Sequence, residues 1–271
     1  MSLKVKDIDR IIEQYAPSKF KEDYDNVGLM VGDMECEVTS ILVALDCTLD
    51  VINEAKEKEC NFILTHHPLI FKKPMNITKD TLLGKKIIEL IKNDINVYSS
   101  HTNLDSIKGG VNDTIMQLLN FHDYNTIELS KRRSEDDKVS GIGRIAALKE
   151  AITLDEMCSR VKKCLNAPFI RYAGNENKKI KKVAVINGSG QSYFNEAKKL
   201  GADCIITGDT TYHYVSDFKE ENIAVIDAGH FDTEWPAVLV LAEYFKNQIE
   251  LKGYKNSVFM SESNKNPYKC K

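Results

Sequence analysis

No stretch of this chain approaches the roughly twenty consecutive apolar residues that a membrane-spanning helix requires. The N-terminal segment from Met1 to Asp7 also lacks the basic-then-apolar pattern of a secretory signal. Paired cysteines are missing too. The seven cysteines, Cys36, Cys47, Cys60, Cys158, Cys164, Cys204 and Cys270, are odd in number and contain no Cys-x-x-Cys pair, as expected for reduced thiols in cytosol. A cytoplasmic protein without a membrane partner is the expectation. Cys60, Cys158, Cys164 and Cys204 lie in apolar segments and read as small buried hydrophobes, not nucleophiles. Excess charge of one sign is absent: 37 Lys and Arg against 40 Asp and Glu leave −3 at neutral pH. That balance offers no broad cationic face, so nucleic acid is not an expected partner. No solenoid-type internal period is found.

What is present is enough apolar residue, 42% of 271, for packed cores in one large or two modest domains. Val5, Ile8, Ile11, Ile12 and Tyr15 have helical spacing, and residues 40–46 read as a buried strand. A helix over 49–59, a strand at 62–64, a helix over 83–93, a strand at 95–99 and a helix over 111–119 follow. This alternation predicts parallel βα units, an α/β chain in which helices flank each sheet. The densely charged run Lys131 to Lys138 has no core residue; a surface crossing between two domains is its simplest interpretation, and a solvated loop fits it equally well. Further strands are predicted at 141–148, 169–172, 182–186, 204–209 and 223–227. Thr153 with Glu156 matches a capping box opening a helix to about residue 165. Another helix is expected over 193–200, and a last amphipathic one over 236–246 with Pro236 in its first turn.

Three strand ends carry side chains of metal-ligating type. His66 and His67 follow Thr65 and precede Pro68, which stiffens the turn. His101 and Asp105 follow the strand ending near Ser100. His230 and Glu234 bracket the change from strand to helix, with Gly229 permitting a tight backbone. Ligand sites in α/β sheets gather at the carboxyl ends of strands. Six candidate ligands exceed what one four-coordinate ion needs, so the pattern suggests a two-metal site. Gly188, Ser189 and Gly190 join a strand to a helix, where backbone N–H groups suit a phosphate, although a plain tight turn explains them equally. Asp209 and His213 follow another strand and are candidates for contacting substrate or for supporting the ligands. His122 has no carboxylate companion and reads as a bland surface residue.

The segment Asp25 to Gly32, the Thr65-His66-His67-Pro68 turn, His101 to Asp105, Gly188-Ser189-Gly190, Thr207-Gly208-Asp209, and Gly229-His230 with Glu234 together resemble the NIF-three-like family, dinuclear-metal proteins labelled type 2 GTP cyclohydrolase I homologues. The resemblance covers essentially the whole chain. It implies metal ligation by His66, His67, Asp105, His230 and Glu234, with one carboxylate bridging two ions. His101 matches a histidine near the pair, either a ligand or a catalytic proton relay. It also implies two α/β domains around a central metal-binding cleft, drawn here as residues 1–128 with 236–271 and residues 139–235, and a ring-shaped homohexamer. Met30 stands where glutamine is common and Tyr24 where tryptophan is common. The domain inserted in longer relatives has no room between Asn125 and Val139.

The ions expected are two divalent metals, with zinc, iron, manganese, cobalt and nickel all suited to mixed nitrogen and oxygen ligands. The reaction implied is hydrolysis of a small molecule, GTP, with ring opening and formate release. Two rival readings use the same ligands: a non-catalytic metal-binding regulatory scaffold, and a metal-dependent phosphoesterase acting on nucleotides.

Overall fold

Short runs of wholly apolar residues become strands buried on both faces, and apolar residues three and four apart become the buried stripes of helices. In the computed structural model, which describes residues 2–269 and 271, the chain begins with α1 (Val5–Tyr15), β1 (Gly28–Val31), β2 (Ile41–Ala44) and α2 (Leu49–Glu57). Next come β3 (Phe62–Thr65), α3 (Leu82–Lys92), β4 (Asn96–Ser99), α4 (Thr102–Ser106) and α5 (Val111–Leu118). They are followed by β5 (Asn125–Leu129), β6 (Gly141–Thr153), α6 (Leu154–Cys164), β7 (Arg171–Ala173), β8 (Lys179–Ile186) and α7 (Phe194–Lys199). The chain finishes with β9 (Cys204–Thr207), α8 (Tyr212–Glu220), β10 (Ala224–Asp227), α9 (His230–Leu251) and β11 (Val258–Met260). Met1 and Cys270, both named above, lie outside the described residues. Among the described residues no helix is long and apolar enough to cross a membrane.

The chain divides into two units, Met1–Leu104 with Val238–Lys265 and Asp105–Ala237 with Asn266–Lys271. The first unit holds a five-stranded sheet in the order β1-β4-β3-β2-β11, parallel except for the antiparallel edge strand β1. Side chains alternate across it. Leu42, Ala44, Ile63 and Val97 pack with Val51, Ile52 and Ala55 of α2 and Leu90 of α3. On the opposite face, Val43 and Leu64 share a small apolar cavity with Ile11 and Ile12 of α1 and Val238 and Leu241 of α9.

The second unit holds six strands in the order β5-β6-β8-β9-β10-β7. Only β8, β9 and β10 are parallel; β5, β6 and β7 pair antiparallel. The expected parallel pattern therefore holds for all of the first sheet but its β1 edge, and in the second sheet only for β8, β9 and β10. The expected inter-domain crossing at 131–138 is instead part of the turn joining antiparallel neighbours β5 and β6. A charged run suits a hairpin turn as well as a linker, and only pairing of its flanks distinguishes them. The division near residue 128 likewise moves to Leu104/Asp105, because α5 packs on β6 and β8 and β5 pairs with β6. Asp105 thus belongs with the second unit. Phe194, Ala197, Ile205, Phe218 and Val225 are among the apolar residues filling its core.

Two helix starts bear on the sequence reading. The Thr153–Glu156 capping box forms as expected, with Thr153 Oγ1 accepting from the Glu156 amide at 3.2 Å and the Thr153 amide donating to Glu156 Oε2 at 2.6 Å. The last helix starts six residues earlier than Pro236 suggested, because the Thr233 amide already bonds Gly229 O at 3.0 Å. Pro236 therefore lies inside α9, where its missing N–H releases one carbonyl.

The segment after β11 is held by a buried carboxylate on α2. Glu54 accepts from Ser261 Oγ at 2.6 Å and from the amides of Glu262 and Ser263 at 2.9 Å each, and Lys58 Nζ lies 2.9 Å away. Burial works to raise its pKa, but these donors outweigh burial and hold it at about 2. A carboxyl depressed on folding contributes stability above its unfolded pKa, and that contribution fades as pH falls from about 4.5 toward about 2. Glu54→Gln is accordingly expected to cost roughly 2–3 kcal/mol at pH 7. Urea melts of the variant and the parent at pH 7 and pH 3 check this: the gap should narrow in acid, and an unchanged gap would contradict it.

Candidate metal centre

In the first unit the parallel ladder continues past the end of β3, with the amides of His66 and His67 bonding Ala44 O and Leu45 O at 3.2 and 2.9 Å. Thr65 Oγ1 adds a bond to His67 O at 2.9 Å. The two histidines consequently sit on a fixed turn, not a loose loop. His66 Nδ1 lies 3.0 Å from Ser100 O, His67 Nδ1 2.8 Å from Asp46 Oδ1, and His101 Nδ1 2.9 Å from Asp25 Oδ1. Carbonyls and carboxylates only accept, so each Nδ1 carries the proton and the lone pair of the neutral ring is on Nε2. Orientation of this kind is how proteins prepare imidazoles for metal. One ring nitrogen from each of His66, His67 and His101 falls within 4.8 Å of the others.

Asp25 is itself built in. Its carboxylate accepts from the Thr102 amide at 3.1 Å, the Asn26 amide at 2.8 Å and the Thr102 hydroxyl. Burial favours the protonated acid, but His101 and Thr102 overcome it and hold the pKa at about 2. Asp25 is thus an anion at neutral pH and fixes the His101 tautomer.

In the second unit His230 and Glu234 occupy one face of the first turns of α9, four residues apart, with Nε2 and Oε2 separated by 3.0 Å. They do not bracket the strand-to-helix change; both are helical. Asp209, two residues beyond β9, holds His230 Nδ1 at 2.7 Å. Asn187, at the end of β8, donates from one amide nitrogen to Asp105 Oδ1 at 3.1 Å and Glu234 Oε1 at 3.2 Å. Asp105 and Glu234 are both buried. Two carboxylates sharing one donor, with an oriented imidazole beside them, form a site whose negative charge a divalent cation would neutralise.

The neighbouring glycines have steric reasons. Gly188 has φ +55°, and a Cβ there would lie 2.1 Å from Glu234 Oε1 and 3.3 Å from His230 Nε2. A Cβ on Gly208 would lie 2.5 Å from Thr233 Oγ1, and one on Gly190 would lie 2.0 Å from Ile186 Cγ2. Gly188 and Gly208 thus admit the first turn of α9, and Gly190 lets the turn fold tightly over Ile186, whatever the turn binds.

A family model described as Duf34/NIF3 (NGG1p interacting factor 3) matches residues 3–267. The chain belongs to the Duf34/NIF3 family. A protein of Clostridium acetobutylicum named "GTP cyclohydrolase 1 type 2 homolog" is 56% identical over 271 residues, all of both chains. A protein of the same name from Clostridium perfringens is 53% identical over 248 residues, 92% of this chain and 93% of its own. The crystal structure of a Staphylococcus aureus hypothetical protein superposes with a TM-score of 0.89 at 32% identity over the full length of both.

In this Duf34/NIF3 chain His66, His67 and His101 belong to the first unit, and Asp105, His230, Glu234 and Asp209 to the second. His213 is not gathered with them. It is exposed on the first turn of α8 with its ring edge-on to Tyr212 at 5.4 Å. Ser189 is exposed as well, and His122, also exposed, has its Nε2 2.8 Å from Asn120 Oδ1. Sequence reasoning missed three supporting side chains: Asp25, Asp46 and Asn187. Asp46 and Asn187 each lie just past the carboxyl end of a strand, where ligand sites gather, but that position does not say which histidine or carboxylate each one meets.

Proposed function

We propose that this protein is a dinuclear-metal-dependent hydrolase acting on a nucleotide, holding its ions through His66, His67, Asp105, His230 and Glu234. The observation that carries the reading is the orientation of the histidines: Nδ1 of His66, His67, His101 and His230 meets an acceptor at 2.7–3.0 Å, which directs each Nε2 lone pair outward for a ligand. The donor set of imidazole and carboxylate suits zinc, iron, manganese, cobalt or nickel. Two such ions, when bound, lower the pKa of water and stabilise negative charge developing on the substrate.

The chain's own contribution is positioning and proton transfer. His101, backed by the Asp25 carboxylate, is placed to pass a proton between water and a leaving nitrogen. The favoured reaction is the one the relatives' name suggests. Water adds to the imidazole carbon of the guanine of GTP, a carbon–nitrogen bond opens, and a second water releases that carbon as formate. A panel of GTP and simple phosphoesters, assayed with purified protein of measured metal content, tests this. Formate from GTP supports the reading, orthophosphate would instead mark a phosphoesterase, and silence from both would mark a regulatory metal scaffold. His66→Ala is expected to remove both metal and turnover; full turnover in a metal-free His66→Ala protein would refute the mechanism.

A further inference from the structure

The second unit carries a cavity of about 370 Å³ beside β7 and α8 that the site described above does not use. This is within the size range of small-molecule sites. Tyr172 of the edge strand β7 and Tyr212, the first residue of α8, line it while remaining 44% and 80% exposed. Large phenol rings left open to water along a concavity are surfaces on which another planar ring can stack. Stacking of this kind tolerates any nucleobase.

The charged lining narrows the class. The lining holds two cations, Arg171 and Lys219, and one carboxylate, Asp227. Asp227 is already engaged: it pairs with Arg171 and accepts from Thr210 Oγ1 at 2.6 Å and from the Gly229 amide at 3.0 Å. Its charge is therefore compensated within the fold, and Lys219 remains for an anionic group of a ligand. Thr210 also follows directly on Asp209, the residue that holds His230 Nδ1 at 2.7 Å. The cavity begins one residue away from the carboxylate that orients a proposed metal ligand.

We infer that this cavity binds a nucleotide, its base stacked on Tyr212 and Tyr172 and its phosphates drawn to Lys219; as a substrate site it rests on the hydrolase reading, but as a binding site it does not. Equilibrium dialysis of the purified protein with GTP and with guanosine tests it. Tyr212→Ala is expected to weaken both ligands about tenfold, since stacking serves each. Lys219→Glu should weaken GTP about tenfold or more and leave guanosine nearly unchanged. Both side chains are exposed, so both variants should fold. If neither change alters GTP binding while His230→Ala abolishes it, the nucleotide binds only at the histidines and the inference is overturned. Absence of binding of either ligand by the parent protein at millimolar concentration overturns it too. GTP binding that responds to both variants, without formate release, upholds the cavity and removes the proposed reaction.

Discussion

Gly188→Ala is expected to abolish the proposed metal binding by Glu234 and His230 as thoroughly as Glu234→Ala. The added methyl group would lie 2.1 Å from Glu234 Oε1, far inside van der Waals contact, so the carboxylate must leave its position. That same carboxylate accepts from Asn187 and faces His230 Nε2 at 3.0 Å, so its displacement disturbs three of the side chains proposed to hold or support the ion. Losing an orienting contact alone typically lowers metal affinity 10–100-fold, and moving a ligand should do at least that. Backbone strain is a separate effect, because alanine at a left-handed position costs about 1 kcal/mol. Gly201 isolates it. Its φ is +80°, and a Cβ there would meet only Lys182 Nζ at 4.0 Å. Metal content by mass spectrometry, after dialysis against a mild chelator, should fall in Gly188→Ala and stay at the parent level in Gly201→Ala. Equal retention by both variants would mean that Glu234 is not a ligand in the proposed sense.

The legible parts of this molecule were those encoded by neighbours in the chain. Histidines directly after a buried strand, as at His66 and His67, can be read because the strand's end and the turn's Pro68 are local features. The Thr153–Glu156 box was legible for the same reason, its whole hydrogen-bond set lying within four residues. His230 and Glu234 were found as a pair but placed wrongly, since Pro236 drew the predicted helix start toward itself. The glycine at 229 and the hydroxyl of Thr233 support an earlier start: Thr233 Oγ1 bonds Gly229 O at 3.0 Å and His230 O at 2.9 Å.

The partners of the histidines were not legible, because each comes from a distant segment. Asp25 reaches His101 across 76 positions and Asp46 reaches His67 across 21. An aspartate after a strand is common, and only the fold reveals which one meets an imidazole. The same limit explains the domain boundary. Residues 105–128 look like a continuation of the preceding βα pattern, and only the packing of α5 on β6 and β8 and the pairing of β5 with β6 assign them to the second unit.

Arg144→Met is expected to be the most damaging single change to the second unit's stability. Arg144 has no exposed surface, its Nε pairs with the buried Asp113 of α5, and its other nitrogens donate to Gly141 O at 2.8 Å, Gly143 O at 2.9 Å and Ile107 O at 3.3 Å. Methionine fills part of the space but leaves the buried Asp113 carboxylate with no cation opposite it, while the Gly109 amide still donates to it at 2.7 Å. Breaking a buried pair from one side costs about 3–5 kcal/mol, chiefly through the uncompensated charge. Removing that charge as well, in Arg144→Met with Asp113→Leu, should recover part of the loss, which a double-mutant cycle of urea melts would measure as coupling. A loss below about 1 kcal/mol in the single variant would contradict the argument. The consequence reaches the metal centre through α5. Asn112, next to Asp113, donates to the Asp105 backbone carbonyl at 3.1 Å and accepts from the Asn187 amide at 3.5 Å. Loosening α5 therefore frees the backbone of both the proposed ligand Asp105 and Asn187, the residue whose side-chain amide joins Asp105 to Glu234. Arg144→Met should accordingly lose metal at temperatures well below its melting point, although Arg144 touches none of the proposed ligands.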